Sequence, residues 1–419
     1  MQTASSSVAP SNGVGGDHDL LRRRGTLRAC CGAHVLHDGL VDMLYAVLPV
    51  LAQSLGLSYA QVGMIRAANK AATASLQIPA GLLAERFGSL PLLVIGTVIA
   101  GLAFVGLSAA ESFFAILVGF FVAGCGGAVQ HPLSSTLITG AFVGQGRRTA
   151  LGIYNTFGDI GKFAFMGITI LALGAGLSWQ VPVFAFGLAA IGTAIAVWFA
   201  LAGFEMKADA NPDAVASDAA PAVKGWGVKS RAGVTALSLI ASIDSASRIA
   251  FLTFVAFLMI EKGVATHWSA LAVLITLFGG MCGKYACGLL AERVGIVKTI
   301  AITELWTGLG IFAVIFLPSY VAFAVLPILG VALNGTSSVI YGTVGELIDD
   351  QRHARAYGLI YTLGSVCGIV SPLVFGAIAD QFGVSVSMIL IGVGVCATLP
   401  LLPMLSRALR ALPSGTSTH

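Results

Sequence analysis

The sequence predicts an all-α membrane protein, with twelve transmembrane helices in two six-helix bundles related by a pseudo-twofold axis along the membrane normal. Three observations predict it. Only 10% of the 419 residues are charged while 57% are hydrophobic, with 52 glycines and a mean hydropathy of +0.90. A soluble domain of this length needs far more charge on its surface. Twelve stretches approach the ~20 apolar residues that cross ~30 Å of hydrocarbon. Finally, one octapeptide occurs twice: Gly81-Leu-Leu-Ala-Glu85-Arg86-Phe-Gly88 returns as Gly288-Leu-Leu-Ala-Glu292-Arg293-Val-Gly295. A duplicated apolar half with the same charged turn at the same place marks a transporter built from two repeats.

Taken in order, residues 1–28 form an N-terminal tail, Ser/Gly-rich and expected to be disordered to about residue 20. Arg22, Arg23, Arg24 and Arg28 precede an apolar run that holds His34, His37, Asp38 and Asp42. A signal peptide's apolar region would not tolerate those four, so the run is read as a retained first helix. Six segments, at about 29–53, 61–84, 90–109, 112–140, 149–172 and 181–203, make the N-terminal bundle, 29–203. Residues 204–232 turn charged and Ala/Pro-rich and read as a flexible linker. Six more segments, at about 233–260, 268–290, 299–317, 321–348, 356–379 and 384–405, make the C-terminal bundle, 233–405, and 406–419 is a tail.

Orientation follows from Lys and Arg. With the N-terminus inside, seventeen basic residues fall in inner loops and tails and only Lys262 in an outer loop. Both termini and the linker are therefore expected in the cytoplasm, and the chain in the inner (plasma) membrane. The seven cysteines (Cys30, Cys31, Cys125, Cys282, Cys287, Cys367 and Cys396) lie in or beside apolar segments without metal-like spacing, and read as small buried residues rather than a disulfide framework.

The duplication extends further. Gly152-x-x-x-Thr156-x-Gly158 matches Gly358-x-x-x-Thr362-x-Gly364, Asp38 matches Asp244, and Asp42 matches Arg248, all at one offset. The chain resembles the major facilitator superfamily from about residue 29 to 405. The two Gly-x-x-x-Glu-Arg-x-Gly copies resemble that superfamily's loop signature between helices two and three and between eight and nine, with Glu85 and Glu292 where Asp is usual. The run His34-Val-Leu-His37-Asp38-Gly, the Gly126-Gly-x-x-x-His131-Pro132 stretch and the Gly158-Asp-Ile-Gly161 stretch are similar to fosmidomycin-resistance-type efflux transporters. The resemblance implies the major facilitator fold, a central cavity lined by helices one, four, seven and ten, and drug or metabolite export against protons. It also implies a conformational latch at Gly81, Glu85, Arg86 and Gly88 and at Gly288, Glu292, Arg293 and Gly295.

Nine ionisable side chains lie well inside the helices: Asp38, Asp42, Arg66, Lys70, Asp159, Lys162, Asp244, Arg248 and Lys284. Each, unpaired at mid-membrane, costs ~2.5–3.5 kcal/mol, so nine would cost roughly 25 kcal/mol, well above the ~5–15 kcal/mol stability of a folded domain. They must pair or face a water-filled cavity. At ~1.5 Å per residue, Asp42, Lys70, Asp159 and Asp244 all sit ~18–24 Å from the cytoplasmic edge, near one level. His34, Asp38 and Asp42 share a face of helix one, and Arg66 and Lys70 a face of helix two. Asp38 and Asp42 are the expected partners of Arg66 and Lys70. Asp159–Lys162 and Asp244–Arg248 read either as intrahelical ion pairs or as transport groups, and Lys284 as a residue snorkelling to the cytoplasmic side. His131 is either a packing group or a proton relay. Tyr45, Asn155, Asn334 and Tyr361 are candidate polar lining.

His34 and His37 with Asp38 suggest a metal, but the two histidines are i, i+3 near the cytoplasmic end and no Cys or further His joins them in sequence, so no metal or other cofactor is expected. No Gly-x-x-x-x-Gly-Lys-[Ser/Thr] loop occurs, which removes ATP as the energy source, and no nucleic-acid partner is indicated. The reading is a monomeric, proton-coupled secondary transporter of a small polar or anionic solute, with export the expected direction. The rivals are a proton-coupled importer of an organic anion, a channel, and a non-transporting sensor or enzyme, the last opposed by the lack of any catalytic arrangement.

Overall fold

The computed structural model describes residues 14–142, 144–202, 227–349 and 353–411. The N-terminal half runs α1 (Val14–Asp42), α2 (Leu44–Leu55), α3 (Tyr59–Phe87), α4 (Ser89–Leu107), α5 (Phe113–Gly127), α6 (Gln130–Ala141), α7 (Gly144–Gly174) and α8 (Gln180–Leu201). The C-terminal half runs α9 (Arg231–Glu261), α10 (Thr266–Ser269), α11 (Leu271–Val294), α12 (Ile296–Phe316), α13 (Ser319–Leu347), α14 (His353–Phe382), α15 (Val384–Cys396) and α16 (Leu402–Arg410). Taking α1–α2, α5–α6, α10–α11 and α15–α16 as single broken rods gives six rods per half. Most of linker 204–232 lies outside the described residues. Its end is held rather than loose: Lys229 N donates to Leu347 O at 2.9 Å and Asp349 N to Gly227 O at 2.9 Å. The tail is also shorter than expected, since α1 already begins at Val14.

Eleven spans among the described residues are long and apolar enough to cross a membrane; α3 is the rod that is not one of them. The sequence reading takes 61–84 as a span like the others. The difference is chemical: α3 carries Arg66, Asn69, Lys70, Thr73 and Gln77, and all five face the interior cavity. The opposite character covers the outside, where Phe114, Phe121, Phe184, Phe199, Trp306, Phe316 and Ile328 stand exposed. In water such a surface would aggregate; lipid is its solvent.

The repeat is visible in backbone angles. Gly88 has φ 85° and ψ 152°, and Gly295 has φ 90° and ψ 154°. Both close a helix in a conformation that a side chain resists, so each repeated octapeptide ends in Gly for the same reason.

Packing shows which end is shut. One core cluster joins both halves: Leu44–Leu51 and Phe104–Ala110 from the first, Phe251–Met259 and Ile311–Ile315 from the second. At the other end the cores are separate. One gathers Cys30, Leu93, Leu137 and Tyr154; the other gathers Leu237, Ile300, Ile340 and Leu405. The cleft thus opens toward the end where α1 begins and α16 ends. At the shut end α3 lies along α14. The Tyr59 and Ala60 N–H groups donate to the Asp380 carboxylate at 2.6 and 2.9 Å, a favourable place for negative charge at a helix N-terminus. Gly63 abuts the Pro372 carbonyl, and a Cβ on Gly376 would come within 2.5 Å of Tyr59 O.

Candidate functional site

Two helix breaks shape the centre. Pro132 lacks an N–H and its ring crowds the carbonyl four residues back, which is Ala128. The helix breaks at Ala128–Val129, and His131 is placed in the first turn of α6. The rod α1–α2 breaks at Met43, directly after Asp42, with Pro49 in the following segment. Helix α9 runs unbroken through the equivalent region, where Val255 stands at the repeat offset from Pro49. Breaks at membrane depth are tolerated where they line a cavity.

Glycines then bring the rods together. A Cβ on Gly158 would come within 2.5 Å of His34 Cε1 and 2.9 Å of Asp38 Oδ2, and one on Gly161 would overlap the Val35 carbonyl. A Cβ on Gly127 would lie 2.7 Å from His37 Nε2. The three sequence stretches around His34, His131 and Gly158 therefore meet at one point, which their spacing in sequence could not show.

Asp38, 8% exposed, is that point. Its carboxylate lies 3.3 Å from His34 Nε2, 3.1 Å from His37 Nδ1, 3.6 Å from His131 Nε2 and 3.2 Å from Lys162 Nζ. Lys162 also holds Asp159 at 3.1 Å, and Asp159 meets Lys284 of the other half at 3.2 Å. The result is a charged chain from the histidines, through Asp38, Lys162 and Asp159, to Lys284 across the cleft. Lys284 is thus no snorkelling residue. It faces the cavity and bridges the halves, because α7 and α11 converge there, with Phe163 against Phe278 as well.

The cavity encloses about 420 Å³. Asp38, Asp42, Arg66, Lys70, His131, Asp159, Lys162, Arg248 and Lys284 all line it, with Tyr45, Asn69, Asn334, Tyr341 and Tyr361. The expected pairing of Asp38 and Asp42 with Arg66 and Lys70 is not what forms. Asp38 is taken by Lys162, while Arg66 donates to Tyr45 Oη at 2.6 Å and stacks over its ring at 4.0 Å. Among the described residues no carboxylate lies within 4.0 Å of Arg66, Lys70 or Arg248, and Asp42 has no ion pair. Asp159–Lys162 does close as an intrahelical pair; Asp244–Arg248 does not.

Asp244, expected in the cavity, is 5% exposed and is not among its lining residues. It stands behind the wall near a tenth intramembrane charge that the sequence count of nine omits: Glu304 on α12, 1% exposed, with Oε1 unpartnered. Glu304 was legible as a lone acid in an apolar segment. Asn155 does not line the cavity either. His131 is half-open to it, with 44% of its side chain exposed.

Glu85, Arg86, Glu292 and Arg293 are exposed at the ends of α3 and α11 on the open side. Among the described residues none of the four closes an ion pair. Glu85→Gln and Glu292→Gln are each expected to shift the balance of the two conformations by ~1–3 kcal/mol and slow transport while expression holds. Parental transport and unchanged cysteine accessibility in the double variant would refute the latch.

The comparisons agree with this architecture. The sequence profile described as Major Facilitator Superfamily matches residues 30–372. The probable sulfoacetate transporter SauU of Cupriavidus necator is 25% identical over 390 residues, covering 85% of this chain and 89% of its own. The fosmidomycin resistance protein of Escherichia coli (strain K12) is 25% identical over 397 residues, covering 91% and 92%. The crystal structure of a bacterial homologue of the human lysosomal transporter Spinster, inward-facing and occupied, superposes with a TM-score of 0.75 at 16% identity, covering 92% of this chain and 97% of that one. With twelve helical rods in two repeats around a charged central cavity, and a profile match over most of its length, this chain belongs to the Major Facilitator Superfamily and is a multi-pass membrane transporter of small solutes.

Proposed function

We propose that this chain is a proton-coupled secondary transporter that moves a small organic anion across the inner (plasma) membrane by alternating access, as a monomer and in the direction of export. One observation carries the reading: three cations, Arg66, Lys70 and Arg248, line the cavity with no carboxylate of the described residues within 4.0 Å, while Asp38 and Asp159 are already held by Lys162 and Lys284. The cavity wall carries five Lys/Arg against three Asp. Unspent guanidinium donors in a low-dielectric cleft bind carboxylate, sulfonate or phosphonate groups by charge-assisted bonds. The names of two relatives fit this class, since sulfoacetate is a sulfonated carboxylate, and a resistance protein supports export.

Asp42 is the proposed proton carrier. It shares the cavity with Arg66 and Lys70. A solute anion that takes these cations cancels the positive field they exert across the cavity on Asp42, at membrane depth, where an ionised carboxylate is costly. A proton then neutralises it, and the loaded forms differ in which conformation they favour. Asp42→Asn mimics the protonated acid. It is expected to abolish gradient-driven accumulation in proteoliposomes while counterflow exchange of the bound anion continues. Full accumulation in that variant would remove Asp42 from coupling, and a thermal-shift panel of carboxylates, sulfonates, phosphonates and organic amines in which only the amines stabilise the protein would overturn the substrate class.

The open end of the cleft is proposed to face the cytoplasm. The seventeen-to-one basic bias supports this, because the same loops surround the open end. Impermeant thiol reagent is expected to label a cysteine placed in segment 204–232 only after cells are broken. Labelling from outside intact cells would invert the topology.

A further inference from the structure

Sequence spacing sets His34 and His37 beside Asp38 without a further His or Cys, and the fold supplies His131 from α6. We propose that His34 Nε2, one Asp38 carboxylate oxygen and His131 Nε2 form a binding site for a borderline first-row divalent ion of the Zn²⁺ and Co²⁺ class, open to the cavity at its remaining positions.

The ligand atoms of these three residues lie within 4.8 Å of one another. Metal–ligand bonds of ~2.0–2.1 Å at tetrahedral angles place neighbouring ligand atoms ~3.3–3.4 Å apart. His34 Nε2 lies 3.3 Å from Asp38 Oδ2 and His131 Nε2 lies 3.6 Å from Asp38 Oδ1, so the two imidazoles approach different oxygens of one carboxylate, and the three ligand atoms must draw in from within 4.8 Å of one another to hold one ion.

His34 is held as a ligand must be. Its Nδ1 lies 2.8 Å from the Tyr154 carbonyl. A carbonyl only accepts, so Nδ1 carries a proton, and the neutral tautomer of this ring presents its Nε2 lone pair. That second bond to a backbone carbonyl is what fixes metal-ligating histidines elsewhere. The ring also stacks on Tyr154 at 3.9 Å, and the side chain is 3% exposed. Its Nε2 has no hydrogen-bond partner although Asp38 Oδ2 is near. In the neutral tautomer a lone pair faces the carboxylate oxygen there, a repulsive contact that a shared cation turns into an attractive one.

His37 serves the site from behind. Its Nδ1 is 3.1 Å from Asp38 Oδ1, orienting the carboxylate. The half-exposed His131 gives entry from the cavity. Two imidazoles with one carboxylate select Zn²⁺, Co²⁺ or Ni²⁺ over Mg²⁺ and Ca²⁺, which take oxygen ligands. Lys162 is the competitor, 3.2 Å from Asp38 Oδ2. It already touches Asp159 at 3.1 Å and can retire to it when an ion arrives.

The test uses the full-length, tag-free protein in detergent, with Co²⁺ and Zn²⁺ as probes and no transport readout, so it stands or falls apart from the anion reading. One Co²⁺ per chain is expected to bind, with the ligand-field bands of nitrogen and oxygen coordination, displaced by Zn²⁺ and weakened as acid protonates the imidazoles. His131→Ala, at the open edge, is expected to weaken binding about 10- to 100-fold and His131→Asp to restore part of it. Lys162→Met removes the competing charge and is expected to tighten binding, the reverse of what a merely structural cluster would show. Absence of saturable binding, sulfur-to-cobalt charge transfer indicating the cysteines, an unchanged affinity in His131→Ala, or binding no tighter in Lys162→Met would each overturn the proposal.

Discussion

Arg66→Ala is expected to weaken binding of the transported anion by about 2–5 kcal/mol, roughly 30-fold to several thousand-fold, which is the scale for truncating one partner of a buried charge pair. The size follows from how the guanidinium is held. Its stem rises from α3, the rod that is not among the candidate spans of the described residues, and its planar group lies over the Tyr45 ring at 4.0 Å while one Nη donates to Tyr45 Oη at 2.6 Å. The rotamer is fixed before any solute arrives, so little entropy is lost on binding. Four of five donors remain for an anion. Arg66→Lys keeps the charge but not the fork or the stacking, and is expected to recover little. Tyr45→Phe keeps the ring and removes the hydroxyl, and is expected to lose less than Arg66→Ala. Titration by thermal shift or calorimetry against the best anion of the panel measures all three. Wild-type affinity in Arg66→Ala would take Arg66 out of the binding site and leave Lys70 and Arg248 to be tried.

Gly63→Ala is expected to drive the protein out of the conformation described here. At Gly63 the backbone of α3 touches the Pro372 carbonyl of α14, so a methyl group has nowhere to go. Two backbones in contact cannot yield as a side chain can. Overpacking of this kind costs ~1–3 kcal/mol and at times more, which raises the population open at the shut end roughly 5- to 150-fold. Hydrogen exchange reads this directly: amides in α2 and in the Phe251–Met259 stretch of α9, now within the shared core, are expected to exchange faster. Asp380→Ala loses two bonds to the start of α3 and should act in the same sense, more weakly because that carboxylate is exposed. Unchanged protection in Gly63→Ala would mean that the α3–α14 contact does not hold this end closed.

Much of the fold was legible because a membrane imposes strong rules. Spans must be long, apolar and helical, and a repeated octapeptide reports a repeated half. The turn glycines Gly88 and Gly295 have the same backbone angles because the same local problem is solved twice. Intramembrane charge was also visible residue by residue, since a buried charge is expensive wherever it lies. Seven of the nine read in this way line the cavity together with His131, and so does Lys284, though its expected role differed; Asp244 does not, and Glu304 was missed.

Partnership was the part sequence left open. Helical spacing gives the face of one rod, not the rod opposite. It put Asp38 and Asp42 with Arg66 and Lys70 at one depth, and depth alone made them partners. The tertiary structure decided otherwise through close approach. Gly158 and Gly161 let α7 reach α1, so Lys162 takes Asp38, and the breaks at Met43 and Ala128 turn Asp42 and His131 toward the cavity. Asp380 meets Tyr59 from 321 residues away. The sequence by itself thus determined that the chain spans a membrane as two like halves with charge at their centre, because hydrophobic length and insertion cost are local quantities. Only the tertiary structure decided which charges neutralise each other and which face the cavity without an ion pair among the described residues, because that depends on distances between rods, and those are set by glycines, prolines and packing across the whole bundle.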